Sequence, residues 1–338
     1  PLSFFGGIGG ASRKGILIKG GNYMDALAHI DTVVLDKTGT LTQGTFAVEA
    51  IHPDSLSEKE LLHLAAHVEH FSHHPIAVAL QGAYQHVGDG CTTNHVHEVV
   101  GKGIVADVNG HRVAVGNERM MEAEGATLHP CKRCEGHAGT VVHVAIDGRY
   151  AGHVVISDQV KADASEALRA LRQLGVKQTV MLTGDKEAVA RQVAQQVGID
   201  SYAAELLPAD KVDRVERLIQ QQSQEKGTLA FVGDGINDAP VLARADVGIA
   251  MGAMGSDAAI DAADVVLMDD KPSKIAEAIR IARRTIANAR QNVIFAIVVK
   301  ALVLFLASVG VATMGMAVFA DVGVMVLCVL NSMRTLRV

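Results

Sequence analysis

The heptapeptide Asp36-Lys37-Thr38-Gly39-Thr40-Leu41-Thr42 follows directly on the β-branched segment Thr32-Val33-Val34-Leu35. Such a run, bounded by a turn, reads as a buried strand ending in a loop. A carboxylate at the C-terminal tip of a parallel strand is where open α/β sheets place their chemistry. This junction therefore calls for a parallel sheet around it, and Asp36 at its tip can act as a covalent nucleophile toward a phosphoryl group. The Gly and Thr residues behind it give a tight turn whose N–H groups and hydroxyls lie near a transferred phosphate.

From Ala151 onward the sequence supplies the rest of such a sheet. Val154-Val155-Ile156 precedes a helix at 162–174, Val180-Met181-Leu182 precedes one at 188–197, and Leu229-Ala230-Phe231-Val232 precedes a further loop and helix. Alternating strands and helices predict a doubly wound parallel sheet. Two of these strands end in polar clusters. Thr183-Gly184-Asp185 offers a hydroxyl and a backbone N–H at the start of a helix, an anion site. Gly233-Asp234-Gly235-Ile236-Asn237-Asp238 offers two carboxylates and an amide, donors suited to Mg²⁺. Between them, Lys211 in Pro208-Ala209-Asp210-Lys211 can neutralise charge growing on transferred phosphoryl oxygens.

Residues 49–150 follow a different pattern, with helices at 58–70 and from Pro75, then strand-like segments around Val99, Val105, Val113 and 141–146. Because the strand before Asp36 belongs to the parallel sheet, this stretch is expected to be an inserted α+β domain. The 338 residues leave room for it, and a net charge of −6 with no large basic patch argues against nucleic acid as a partner. Val293–Ala312 carries only Lys300 as a charge, and Met316–Leu330 only Asp321. Their lengths, with Arg283, Arg284, Arg290, Arg334 and Arg337 flanking them, predict a transmembrane helical hairpin with both outer ends cytoplasmic and a turn at Thr313-Met314-Gly315. The Gly-rich start at Pro1 has no initiator Met and reads as the tail of an apolar segment, so a fragment of a longer protein is expected. Four scattered cysteines fit a reducing cytosol rather than a disulfide framework.

Taken together, Asp36–Thr42, Thr183-Gly184-Asp185, Lys211 and Gly233–Asp238 resemble the haloacid-dehalogenase-like phosphoryl-transfer fold in its P-type ATPase form. The resemblance implies an end of a membrane helix with its connector at 1–20, a phosphorylation domain at 21–48 and 151–280, a nucleotide-binding domain at 49–150, and the last two transmembrane helices at 281–338. By motif, Asp36 is the phosphorylated nucleophile, and Thr38 binds Mg²⁺ through its backbone carbonyl. Thr183 and Lys211 contact the phosphoryl group, and Asp234 ligates Mg²⁺. Asn237 and Asp238 complete the site, with Lys37, Gly184 and Asp185 beside it. Thr40 supports the loop. Phosphatases of this fold carry an acid/base Asp where this chain has Thr38, and its loss slows hydrolysis of the aspartyl phosphate.

Glu69-His70-Phe71-Ser72-His73-His74-Pro75, Gly101-Lys102-Gly103-Ile104 and Gly116-Asn117 resemble the nucleotide-domain signatures of heavy-metal P-type ATPases. They imply that Glu69, His74, Gly101, Gly103, Ile104, Gly116 and Asn117 bind ATP, with the His74 ring stacked on adenine. His63, His67, His70 and His74 recur on one helical face, which reads as a polar face rather than a metal site. Cys131 and Cys134, with His129 and His137, form a sharper candidate for Zn²⁺. Intramembrane charges mark functional positions, and Lys300 with Asp321 resembles the Zn²⁺/Cd²⁺/Pb²⁺-exporting branch rather than copper exporters. The implied partners are a divalent heavy-metal ion, ATP, membrane lipid and the earlier part of the same pump. The implied place is a bacterial plasma membrane, with the catalytic domains in the cytoplasm. A copper exporter, a non-transporting ATP-binding fragment and a soluble phosphatase are the alternatives.

Overall fold

The computed structural model describes the chain except residues 73, 85–89, 130, 132–138, 223–226, 235–237, 253–256 and 338. It divides into two compact units, Pro1–Leu41 with Lys161–Val338, and Thr42–Val160. The first begins with α1 (Leu2–Ser12), β1 (Ile16–Ile18), α2 (Gly21–Ala28) and β2 (Ile30–Asp36), then a tight loop at Lys37–Leu41. The second holds β3 (Thr42–Pro53), α3 (Glu58–Glu69), α4 (Pro75–Ala83), β4 (Thr93–Val99), β5 (Gly103–Val108), β6 (His111–Gly116), α5 (Glu118–Ala123), β7 (Thr140–Ile146) and β8 (Arg149–Val160). The chain then returns to the first unit with α6 (Ala164–Gln173), β9 (Gln178–Leu182), α7 (Glu187–Val197), β10 (Ser201–Ala203), α8 (Pro208–Gln222) and β11 (Thr228–Gly233). After α9 (Ala239–Arg244), β12 (Val247–Met251), α10 (Asp257–Ala262) and β13 (Val265–Leu267) come two long helices. These are α11 (Ser273–Ser308) and α12 (Met314–Arg337).

Seven strands form the sheet of the first unit in the order β1-β13-β12-β11-β2-β9-β10, parallel except for β1. Both faces are covered, which is why its strands read as unbroken apolar runs. Val34, Val180, Leu182, Leu229 and Phe231 pack with Val215, Leu218, Val241 and Leu242 of α8 and α9. The chain runs from β2 to β9 and β10 on one side, then crosses to β11 on the other. The order thus reverses beside β2, where open α/β sheets form their crevice. The register sets the tips level: Asp36 pairs with Leu182, and Leu35 with Val232.

The second unit is a six-stranded antiparallel sheet, β3-β8-β7-β6-β5-β4. Leu61, Ala65 and Val68 of α3 and Leu80 of α4 pack on Ala106, Val115, Val144, Val154 and Ile156 on one face. Ser57 starts α3 with a reciprocal cap, its hydroxyl accepting from the Glu60 N–H and its own N–H donating to Glu60 Oε2. This unit is wider than the 49–150 segment read from the sequence. Val154–Ile156, expected in the parallel sheet, lies in β8 and pairs antiparallel with β3 and β7. A short apolar run covered on both faces looks alike in either sheet, so periodicity could not assign it.

Among the described residues, two helices are long and apolar enough to cross a membrane, α11 with 36 residues and α12 with 24. The first half of α11 buries Ile275, Ile279 and Ala282, whereas Val293, Ile297, Leu304 and Phe305 beyond it are exposed. Gly310 closes α11 and the Thr313 hydroxyl caps α12, so the turn lies ahead of the Thr313–Gly315 segment expected to form it. Ser3 Oγ bonds Asn288 Oδ1 and Ser332 Oγ, both at 2.9 Å, and Asn331 Nδ2 donates to Asn292 Oδ1 at 2.9 Å. These buried and half-buried polar groups tie α1, α11 and α12 together.

Candidate functional site

The loop after β2 turns back because Gly39 takes φ +71°, and a Cβ there would strike the Asp234 carboxylate. Glycine is required at that point both for its backbone and for its lack of a side chain. The turn leaves Asp36 buried at the β2 tip, and α8 brings Lys211 over it. Lys211 Nζ lies 2.5 Å from Asp36 Oδ1 and 2.9 Å from Asp238 Oδ1, so one ammonium bridges two carboxylates. Oxygen atoms of Asp36, Asp234 and Asp238 all fall within 4.8 Å of one another. Lys37 pairs with Asp185 at 2.6 Å, and buried Thr183 accepts the Asp185 N–H at 3.1 Å. Gly184 and the Thr38 side chain are exposed beside them. Asn237 lies outside the described residues.

The charges are unevenly balanced. Burial, then the Asp238 charge, raises the Asp36 pKa against the pull of Lys211. Burial and Asp238 likewise push Asp234 up to about 6. Burial disfavours charged Lys211, but Asp36 and Asp238 outweigh it and its pKa is raised. Three clustered carboxylates therefore hold more negative charge than Lys211 offsets. Hard oxygen donors with surplus negative charge suit Mg²⁺, and the residues present fit that ion. Thr40 Oγ1 is buried with no hydrogen-bond partner among the described residues.

Sequence reasoning missed Lys161. Its ammonium donates to the Gly39 carbonyl at 2.5 Å and pairs with Asp270 at 3.0 Å, so it holds the turn in place. Lys161 sits between a strand and a helix with no motif around it, and only the folded chain reveals the contact.

In the second unit, Glu69, His74, Gly101, Gly103, Ile104, Gly116 and Asn117 line a single cavity of about 330 Å³. Gly103, at φ +150°, faces Gly116 across β5 and β6, where a Cβ on either would meet the opposite backbone. His74 caps α4, its Nδ1 accepting the Ile76 N–H at 3.3 Å, which fixes the ring at the cavity edge. Asn117 caps α5 and donates to the Gly101 carbonyl at 2.9 Å. Glu98 and Lys102 also line the cavity and were not singled out from sequence. Burial first, and the Glu98 charge second, push Glu69 up to about 7, opposed by a hydrogen bond with Ser72.

The four histidines expected on one helical face do not share one. The helix ends at Glu69, so His70 and His74 leave it, while His63 and His67 sit with their rings 4.6 Å apart. The Zn²⁺ candidate is only partly described: His129 pairs with Asp54 at 3.2 Å, whereas Cys134 and His137 lie outside the described residues. Between the long helices, Lys300 Nζ meets Asp321 Oδ1 at 2.9 Å, and Asp321 lies in a widened π turn at Phe319–Gly323.

A family model for haloacid dehalogenase-like hydrolases matches residues 30–246. A zinc-transporting ATPase of Synechocystis is 53% identical over 99% of this chain and 46% of its own length. A cadmium, zinc and cobalt-transporting ATPase of Bacillus subtilis is 51% identical over 100% of this chain and 47% of its own. The chain thus spans about half the length of these curated relatives. A crystal structure of a zinc-transporting PIB-type ATPase in the E2.Pi state superposes with a TM-score of 0.89 at 39% identity, over 100% of this chain and 55% of that one.

Proposed function

Because the chain belongs to the haloacid dehalogenase-like hydrolase family, in the branch whose members are P-type ATPases, we propose that it is the catalytic and membrane-hairpin part of an ATP-driven exporter of Zn²⁺, Cd²⁺ or Pb²⁺. One observation carries the reading: Lys211 bridges Asp36 and Asp238 at the strand tips, with Asp234 beside them. In this reading an Asp36 carboxylate oxygen attacks the γ-phosphorus of ATP, the bond to the bridging oxygen breaks, and ADP leaves. Lys211 shifts its ammonium from the carboxylates toward the phosphoryl oxygens, and the Thr183 hydroxyl donates to the same group. A water oxygen later attacks phosphorus, releasing phosphate and restoring Asp36. Asp36, Asp234 and Asp238, with the Thr38 carbonyl, would hold Mg²⁺, which would supply charge neutralisation to the transferring group. With Thr38 in place of an acid/base Asp, that hydrolysis waits on another group.

The cavity around His74 and Glu69 takes the adenosine of ATP. Lys300 and Asp321 form the transported-ion region, where Asp321 exchanges its ammonium partner for a metal ion. That pair, and the zinc and cadmium named in the relatives' descriptions, favour a divalent ion over copper. The relatives' names add cobalt to the expected ions and do not print lead. The test is acid-stable phosphorylation from ATP in the full-length pump, stimulated by Zn²⁺, Cd²⁺, Pb²⁺ or Cu⁺. Asp36→Asn should abolish it while ATP still binds. Phosphorylation surviving that substitution would place the nucleophile elsewhere, and stimulation by Cu⁺ alone would overturn the ion.

A further inference from the structure

Within the second unit, three histidines stand side by side on neighbouring strands. His52 of β3 pairs with His153 of β8, which pairs with His143 of β7. Directly opposed residues of antiparallel strands project to one face, and the rings follow, with centroids 5.1 Å and 5.8 Å apart. The connection after α5 brings Cys131 onto this row. The thiol of Cys131 and a ring nitrogen from each of His52 and His153 lie within 4.8 Å of one another. Tetrahedral zinc with two nitrogens and a sulfur separates its donors by roughly 3.3–3.6 Å, so small side-chain rotations bring the three onto one ion.

We propose that His52, His153 and Cys131 form a binding site for a divalent transition metal, with Zn²⁺ as the fitting ion and an exchangeable water as the fourth ligand. The surroundings favour this chemistry. Tyr150 Oη lies 2.8 Å from His153 Nδ1 and 3.1 Å from His143 Nδ1. With a metal on Nε2, His153 Nδ1–H donates to Tyr150, whose hydroxyl donates onward to His143, a chain that fixes the ring and its tautomer. The second His/Cys cluster differs, because His63 uses Nε2 toward Cys91 at 3.1 Å and Nδ1 toward Tyr84 at 3.4 Å.

The site has a bearing on the nucleotide cavity. Thr140, Val141 and Val142 of β7 line that cavity, and His143 of the row follows them directly on the same strand. An ion gripping the row would brace the strand that carries these lining residues.

The full chain in detergent is titrated with Co²⁺ alone, because a cysteine thiolate on Co²⁺ gives a charge-transfer absorption that carboxylate or imidazole sites do not. Wild type should show that band, and Cys131→Ser should lose it, the substitution lying in a connection outside both sheets. Zn²⁺ should displace Co²⁺, and Tyr150→Phe should weaken Zn²⁺ roughly 10–100-fold while keeping the band. A wild type without the band, a band that survives Cys131→Ser, or a band lost instead in Cys91→Ser would overturn the assignment.

Discussion

Glu69 tests how the cavity proposed for nucleotide is charged. The residue is 6% exposed, and burial, with the Glu98 charge behind it, lifts its pKa from 4.5 to about 7. A carboxyl with a raised folded pKa holds its proton more tightly in the folded chain than in the unfolded one. Its contribution is therefore fully present below pH 4.5 and is lost as pH rises to about 7, above which the charged group is a standing burden. At ~1.4 kcal/mol for each tenfold change in proton affinity, the interval from 4.5 to about 7 amounts to about 3 kcal/mol. Glu69→Gln removes the charge and keeps the shape. Amide hydrogen exchange of α3 and the neighbouring strands, in the full chain in detergent, reads local opening free energies. The variant should match wild type near pH 4.5 and be protected by up to about 3 kcal/mol more above pH 8. Equal protection ratios at both values, or a less protected variant at high pH, would show that Glu69 carries no buried-charge penalty.

Lys211→Met leaves Asp36 and Asp238 buried without their shared ammonium. Phosphorylation from ATP should fall by about 10²–10³ with nucleotide binding intact, and an equal loss of both would contradict the assignment. Gly39→Ala puts a methyl group against Asp234 at a left-handed φ, a strain of about 1–3 kcal/mol. Quenched-flow measurement should find phosphoenzyme formation strongly reduced, and a wild-type rate would show that the loop yields freely. Asp321→Ala in the full-length pump should abolish Zn²⁺-stimulated ATP hydrolysis, whereas full stimulation would leave Lys300 and Asp321 a structural ion pair.

What was legible in the sequence was local. The strand before Asp36, the polar cluster at Thr183 and the glycines near Gly101 each announce themselves within a few residues. The expected parallel sheet and the antiparallel inserted unit are both present. What stayed hidden depends on pairing between distant segments. His52 and His153 meet only through the β3–β8 register, and neither carries a motif. Asn331 and Ser332 belong to no motif in the sequence, yet they bond Asn292 and Ser3 across more than one helix.

The same division explains why the candidate active site could be assembled from its parts. Its groups come from strand tips, and in a parallel sheet the tips of adjacent strands share one edge. Once Val180-Met181-Leu182 and Leu229–Val232 are recognised as neighbours of β2, the residues following them must gather near Asp36 whatever the loops do. The structure does this with Asp36 level with Leu182. Lys211 arrives by a different route, on the first turn of α8, and no register constrains it. Charge draws it in: among three crowded carboxylates, an ammonium spanning Asp36 and Asp238 is held more firmly than one left in solvent. In the proposed reaction the same attraction would let Lys211 transfer to a more highly charged phosphoryl group, so the contact that orders the resting site would also prepare that step.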